Sequence, residues 1–88
     1  MANIASQKKR IQRSLRERAE NRRLTSAIKT YFRRLEAAVE SGDKDLVENE
    51  YKLLVARIDK AVSKGALHLN NGSRKKSRAA RIRNRVAV

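Results

Sequence analysis

Two apolar stripes of identical period, separated by one short turn, constrain this chain more than any other feature. Leu24, Ile28, Tyr31, Leu35 and Ala38 recur at intervals of 4-3-4-3, and so do Val47, Tyr51, Leu54, Ile58 and Ala61. Such spacing lays each set along one side of an α-helix, because steps of three and four bracket the 3.6-residue turn. Ala27, Phe32 and Val39 widen the first stripe, and Leu46, Val55 and Val62 the second. Faces of that width suit a bundle rather than a two-stranded coil. Between them stand Gly42, a candidate left-handed C-cap, and Asp43, a good N-cap. So short a connection folds the helices back antiparallel, stripe against stripe.

The rest of the chain extends this hairpin. There is no proline, and no alternating β-branched run marks a strand, so the fold class is all-α. The first helix is expected over residues 6–40 and the second over 43–63, with Asp43 and Asp45 at the end where the macrodipole favours negative charge. Gly65 closes the second helix, and residues 66–70 form a connector whose Leu67 and Leu69 can plug the bundle end. A third helix is expected over residues 71–85, with Ala79, Ile82 and Val86 as a thin apolar side. The architecture predicted is one domain over residues 1–88, a three-helix bundle with a long N-terminal helix. The first half of that helix has only Ile4, Ile11, Leu15 and Ala19 among many arginines. A helix of this length reaches roughly 50 Å, more than so small a globule needs. Its N-terminal half should therefore project, or fray until something binds it. The pairs Arg13–Glu17, Arg16–Glu20 and Glu20–Arg23 lend it local support.

Charge follows the same division. Residues 1–35 carry 11 Lys/Arg against Glu17 and Glu20, residues 36–64 carry 5 against 7 acids, and residues 65–88 carry 7 against none. A net charge of +14 on 88 residues opposes compaction and points to a polyanionic partner, of which nucleic acid is the obvious one. The first basic set is Lys8, Lys9, Arg10, Arg13, Arg16, Arg18, Arg22, Arg23, Lys29, Arg33 and Arg34. It covers nearly every azimuth of its helix, as expected of a helix inserted among several nucleic-acid segments. The second set is Arg74, Lys75, Lys76, Arg78, Arg81, Arg83 and Arg85, with Ser77 placed to donate to a phosphate oxygen. Arginine outnumbers lysine 14 to 9, and its planar fork grips phosphate with two parallel hydrogen bonds. Glu36, Glu40, Asp43, Asp45, Glu48 and Glu50 gather at the hairpin end, a pole expected to face away from the polyanion.

Other chemistries lack their residues. Without cysteine there is no disulfide, thiolate metal site or cysteine nucleophile. His68 has no partner of metal-ligating type nearby, and the serines have no triad companions. A hydrogen bond within the connector, or to a phosphate, is the expected use of His68. No cofactor, metal or small-molecule substrate is expected. Tyr31, Phe32 and Tyr51 lie on or beside the stripes and read as core, leaving no platform for stacking single-stranded bases. Recognition of phosphate and shape in a folded, double-helix-rich partner fits better. No apolar run approaches the roughly 18 residues of a membrane span, and no signal-peptide core follows the basic start. The acid-free first 16 residues share their composition with organellar transit peptides, but removing them would discard most of the basic arm.

Together these residues resemble a known family. Met1-Ala2-Asn3-Ile4 with Ser6, Lys9 and Arg10, then Asn21, Ser26, Lys29 and Thr30, are similar to bacterial small-subunit ribosomal protein number twenty. So are Asp59-Lys60-Ala61, Ser63-Lys64-Gly65, His68, Asn70 and the run Arg74-Lys75-Lys76-Ser77-Arg78. The likeness covers the whole chain in order. It implies a three-helix bundle that binds small-subunit ribosomal RNA directly and early in assembly, touching the five-prime domain and the long penultimate stem. It implies RNA contacts at Asn3, Ser6, Lys9, Arg10, Lys29, Lys64, His68, Arg74, Lys75, Lys76, Ser77 and Arg78. It also implies a cytoplasmic location in the ribosome, no enzymatic activity, and no homo-oligomer. Asn71-Gly72-Ser73 departs from the helix formers expected before the basic run. Glycine costs about 1 kcal/mol inside a helix, so the third helix is expected to start a residue or two late.

Three rival readings have distinct signatures. A DNA-architectural protein would carry an apolar wedge or a minor-groove arm, and neither is evident. A membrane-surface helix needs large apolar side chains opposite its arginines, and residues 1–20 offer only three. A protein–protein adaptor would leave an apolar stripe of the hairpin exposed.

Overall fold

The computed structural model describes residues 4–86. Asn3, one of the implied contacts, lies outside the described residues. Three helices follow in order: α1 (Ile4–Ser41), α2 (Lys44–Ser63) and α3 (Leu69–Arg83). Among the described residues there is no strand, in line with the all-α expectation.

The turn between α1 and α2 is built by its own residues. Gly42 has φ 74°, a left-handed conformation that a side chain would strain, and its N–H donates to Val39 O at 3.1 Å. The Ser41 hydroxyl donates to Ala38 O at 2.6 Å and accepts from the Asp43 N–H at 3.4 Å. One side chain thus relays between a carbonyl and an amide that the end of α1 would otherwise leave unmatched. Asp43 Oδ1 then accepts from Asp45 N at 3.1 Å and Leu46 N at 3.2 Å, capping α2 as its sequence position predicted. At the far end of α2, Gly65 (φ 76°) donates to Val62 O and Ala66 donates to Ala61 O, the paired bonds of a Schellman stop.

The two stripes meet as expected. Ile28, Phe32, Leu35 and Ala38 of α1 pack against Val47, Leu54, Ile58 and Ala61 of α2, and Ala79 and Ile82 of α3 close the core. Tyr31 and Tyr51 lie half-buried at its margin, with Leu24, Val39, Leu67 and Val86.

α3 differs from expectation at both ends. It begins at Leu69 rather than near 71, because His68 serves as its N-cap: the ring Nδ1 accepts from Asn70 N at 3.1 Å. Gly72 does not delay the helix but lies buried inside it, against α2. The helix ends at Arg83 with Asn84 as C-cap, so Arg85 lies beyond it. The connector is correspondingly shorter, and only one of its two leucines plugs the bundle. Leu67 packs on the core, whereas Leu69 is 66% exposed on the first turn of α3.

The bundle occupies only part of α1. Every residue from 4 to 20 is exposed, and the first fully buried one is Ile28. The molecule accordingly extends 67 × 21 × 13 Å, with a radius of gyration of 17.5 Å. A compact chain of this length would have about 12 Å. The predicted projection of the N-terminal half is therefore a fully helical arm.

Candidate nucleic-acid interface

The arm presents its charge in all directions. Ser6, Lys8, Lys9, Arg10, Arg13, Arg16 and Arg18 are all exposed, and at about 100° per residue the six cations surround the helix. Ile11 and Leu15, 60% and 57% exposed, have no apolar cover. Of the three supporting pairs the sequence offered, Arg13–Glu17 is formed, at 3.3 Å between side chains that are 78% and 61% exposed. α1 has no acid in its first turn and no base in its last, the reverse of what the macrodipole favours. Apart from the Arg13–Glu17 pair, this arrangement does little to stabilise an isolated helix, and its cations suit an external anion.

Where α1 enters the bundle, α3 lies beside it and the two basic sets converge. Lys29 and Arg33 of α1 face Lys75 and Arg78 of α3 across a shallow groove floored by Ile28 and Phe32. The Arg78 guanidinium sits 4.8 Å from the Phe32 ring centroid and 3.8 Å from Glu36 Oε1. The groove changes character further along, where Glu36, Val39, Glu40, Ile82 and Arg85 line it. Its cationic end is therefore the end nearer the arm. Arg22 and Arg23 lie exposed between arm and groove, and Arg74, Ser77 and Arg81 are exposed on α3.

The connector supplies a third cluster. Lys64, the C-cap of α2, and His68, the N-cap of α3, are both exposed. Because His68 Nδ1 accepts a hydrogen bond, the neutral ring carries its proton on Nε2, which remains a donor toward solvent.

Of the six acids gathered at the hairpin end, three are met by cations of the bundle, and so is Asp59 further along α2. Glu36 pairs with Arg78, Glu48 with Arg83 at 3.8 Å, Asp59 with Lys76, and Glu50 with Arg34 at 2.9 Å. Arg83 also lies 4.4 Å from the Tyr51 ring centroid. α3 has no acid of its own, so its cations dock on acids and rings of the hairpin. Partly exposed pairs of this kind contribute about 0–1 kcal/mol each. Lys76, Arg78, Arg83 and Arg34 are thus engaged within the protein, while the cations of the arm lie away from the bundle.

At the α1–α2 seam, the sequence placed Glu50 in the exposed acidic pole and did not single out Arg57. Glu50 is buried rather than solvated, and the guanidinium of Arg57 lies 5.3 Å from the Tyr31 centroid. The signal for Glu50 was present: it stands three residues after Val47 and four before Leu54, on the apolar side of α2. Among the described residues no group of His, Cys, Asp and Glu could hold a metal, and no helix is long and apolar enough to cross a membrane.

Comparison with known proteins gives a consistent result. The profile of the family described as Ribosomal protein S20 matches residues 2–84. The small ribosomal subunit protein bS20 of Corynebacterium diphtheriae is 42% identical over 87 residues, covering 99% of this chain and 100% of the relative. The proteins of that name from Kocuria rhizophila (47% identical, 92% of this chain, 94% of the relative) and a Marinomonas species (40%, 89% and 90%) are similar along most of their length.

Proposed function

We propose a function from one premise: the chain belongs to the ribosomal protein S20 family. It is a structural constituent of the small ribosomal subunit, not an enzyme, and works in the cytoplasm within the ribosome. It binds small-subunit ribosomal RNA directly and stabilises the folded RNA during assembly. By family resemblance the RNA elements are the five-prime domain and the penultimate stem.

The observation that carries this reading is the arm: seventeen exposed helical residues, 4–20, with cations on every side. A polyanion lying on one face would leave half of these charges in water. RNA segments packed around the helix would use them all, and the arm would lower the mutual repulsion of those segments. The α1–α3 groove, with Lys29, Arg33, Lys75 and Arg78, supports a further backbone contact where arm meets bundle. The protein acts as a monomer, each copy embedded in its own particle.

Binding of this kind releases counterions, so affinity falls steeply with salt. With 6–10 phosphates contacted, a plot of log affinity against log salt has a slope near −0.7 to −0.9 per contact, about −4 to −9 in all. Titration of a small-subunit ribosomal RNA transcript between low and physiological salt tests this. A nearly flat response would refute the proposal. Competition against duplex DNA separates the reading from a nucleoid-type role: folded ribosomal RNA should win.

A further inference from the structure

The structure assigns Glu50 a positioning role: it holds Arg34 ready for a phosphodiester of structured RNA, on a second face of the hairpin shared with Tyr31 and Arg57. This rests on the RNA-binding reading above and adds a contact surface to it.

The argument begins with a charge in an unfavourable place. The Glu50 side chain is 9% exposed, and its Oε1 accepts from Arg34 Nη2 at 2.9 Å. Its Oε2 is buried and, among the described residues, has no hydrogen-bond partner. One bond to a half-exposed arginine does not recover the desolvation of a buried carboxylate, and an apolar residue of similar size would suit stability better. The gain is in geometry. Arg34 is held twice, by Glu50 and by the Tyr31 ring, whose centroid lies 4.8 Å from the guanidinium carbon. That contact with Glu50 engages one of its five N–H donors, and its side chain is 48% exposed. A guanidinium already ordered, with donors facing outward, loses less freedom on gripping a phosphate than a mobile one.

Arg57 completes the face. Its guanidinium lies 5.3 Å from the same Tyr31 centroid, so two forks share one ring, and Arg34 alone of the two meets the carboxylate. Around α2, Arg57 and Asp59 stand about 200° apart. Asp59 is the residue that meets Lys76 of α3, so the Arg34–Arg57 face looks away from α3 and from the groove it lines. A backbone bound here is therefore distinct from one bound in the groove, and the bundle is gripped from two sides.

The test exploits a reversal of sign. Removing an acid from a protein that binds a polyanion strengthens binding if charge alone matters. If Glu50 positions Arg34, Glu50→Leu weakens binding of the small-subunit ribosomal RNA transcript about fivefold to tenfold, the scale of one ordinary hydrogen bond. The salt slope also becomes shallower by about 0.7–0.9. Thermal stability should hold or rise, since the buried charge is gone. Equal or tighter binding by a folded Glu50→Leu variant overturns the role. Should that variant fail to fold, Arg34→Lys decides, because it keeps the charge and loses the fork: weaker binding supports the role, and unchanged affinity overturns it. Arg57→Ala should weaken binding to a similar degree, and no change would remove the second face. Failure of the unsubstituted protein to bind would instead sink the proposed function itself.

Discussion

Gly72 of α3 approaches Val62 of α2 so closely that a Cβ at position 72 would stand 2.6 Å from Val62 Cγ2. The next nearest atom, Ile58 Cγ2, would lie at 3.7 Å, an ordinary contact. The glycine that looked like a helix breaker in the sequence is what lets α3 rest on α2. Without that approach Ala79 and Ile82 would not reach the core, and the groove would lose its Lys75–Arg78 wall.

Gly72→Ala should therefore destabilise the protein, although alanine is the better helix former by about 1 kcal/mol. Val62 is β-branched and has one strongly preferred rotamer in a helix, so its methyl cannot swing aside. Overpacking of this type costs about 1–3 kcal/mol, leaving a net loss of up to about 2 kcal/mol in chemical denaturation. The loss should shrink in a Val62→Ala background, and a double-mutant cycle measures that coupling. Equal losses in both backgrounds would show that the contact is not the cause.

His68→Ala should remove the α3 cap and lower stability by about 1 kcal/mol. His68→Asn should restore most of it, because an amide oxygen can accept from Asn70 N in place of the ring Nδ1. Circular dichroism with urea unfolding reads both. If the asparagine variant regains stability but not RNA affinity, the Nε2 donor is what the RNA uses. If it regains both, capping accounts for the residue.

Replacing Arg10, Arg13, Arg16 and Arg18 together by glutamine should leave the melting temperature nearly unchanged. All four are exposed and lie on the part of α1 that precedes the bundle. RNA binding should weaken strongly, and the salt slope should become shallower by about 3, at 0.7–0.9 per phosphate. A lowered melting temperature would mean that the arm supports the bundle directly.

Glu36→Gln and Glu48→Gln break pairs of 3.8 Å between partly exposed side chains. Each should change stability by no more than about 0.5 kcal/mol. Each should also strengthen RNA binding modestly, since it releases an arginine and removes a negative charge. Glu50→Leu is expected to do the opposite, and a three-way comparison in one binding assay separates an acid that competes with RNA from one that prepares an arginine for it.

Much of this molecule is written in near neighbours along the chain. The spacing of Leu24 to Ala38 and of Val47 to Ala61, the glycines at 42 and 65, and the Asp43 cap are local signals. Each acts within a turn or two, so the sequence alone determined the two long helices, their antiparallel pairing and the concentration of positive charge at both ends. The projecting arm was legible for the same reason, because a segment with too few apolar residues has nothing to bury. What only the tertiary structure decided depends on where α3 docks and how the hairpin closes: the burial of Gly72 against Val62, the pairing of hairpin acids with cations of α3, and the meeting of Glu50 with Arg34 and of Arg57 with Tyr31. Those partners stand far apart in sequence, and helical periodicity says which side a residue occupies without saying what will lie opposite.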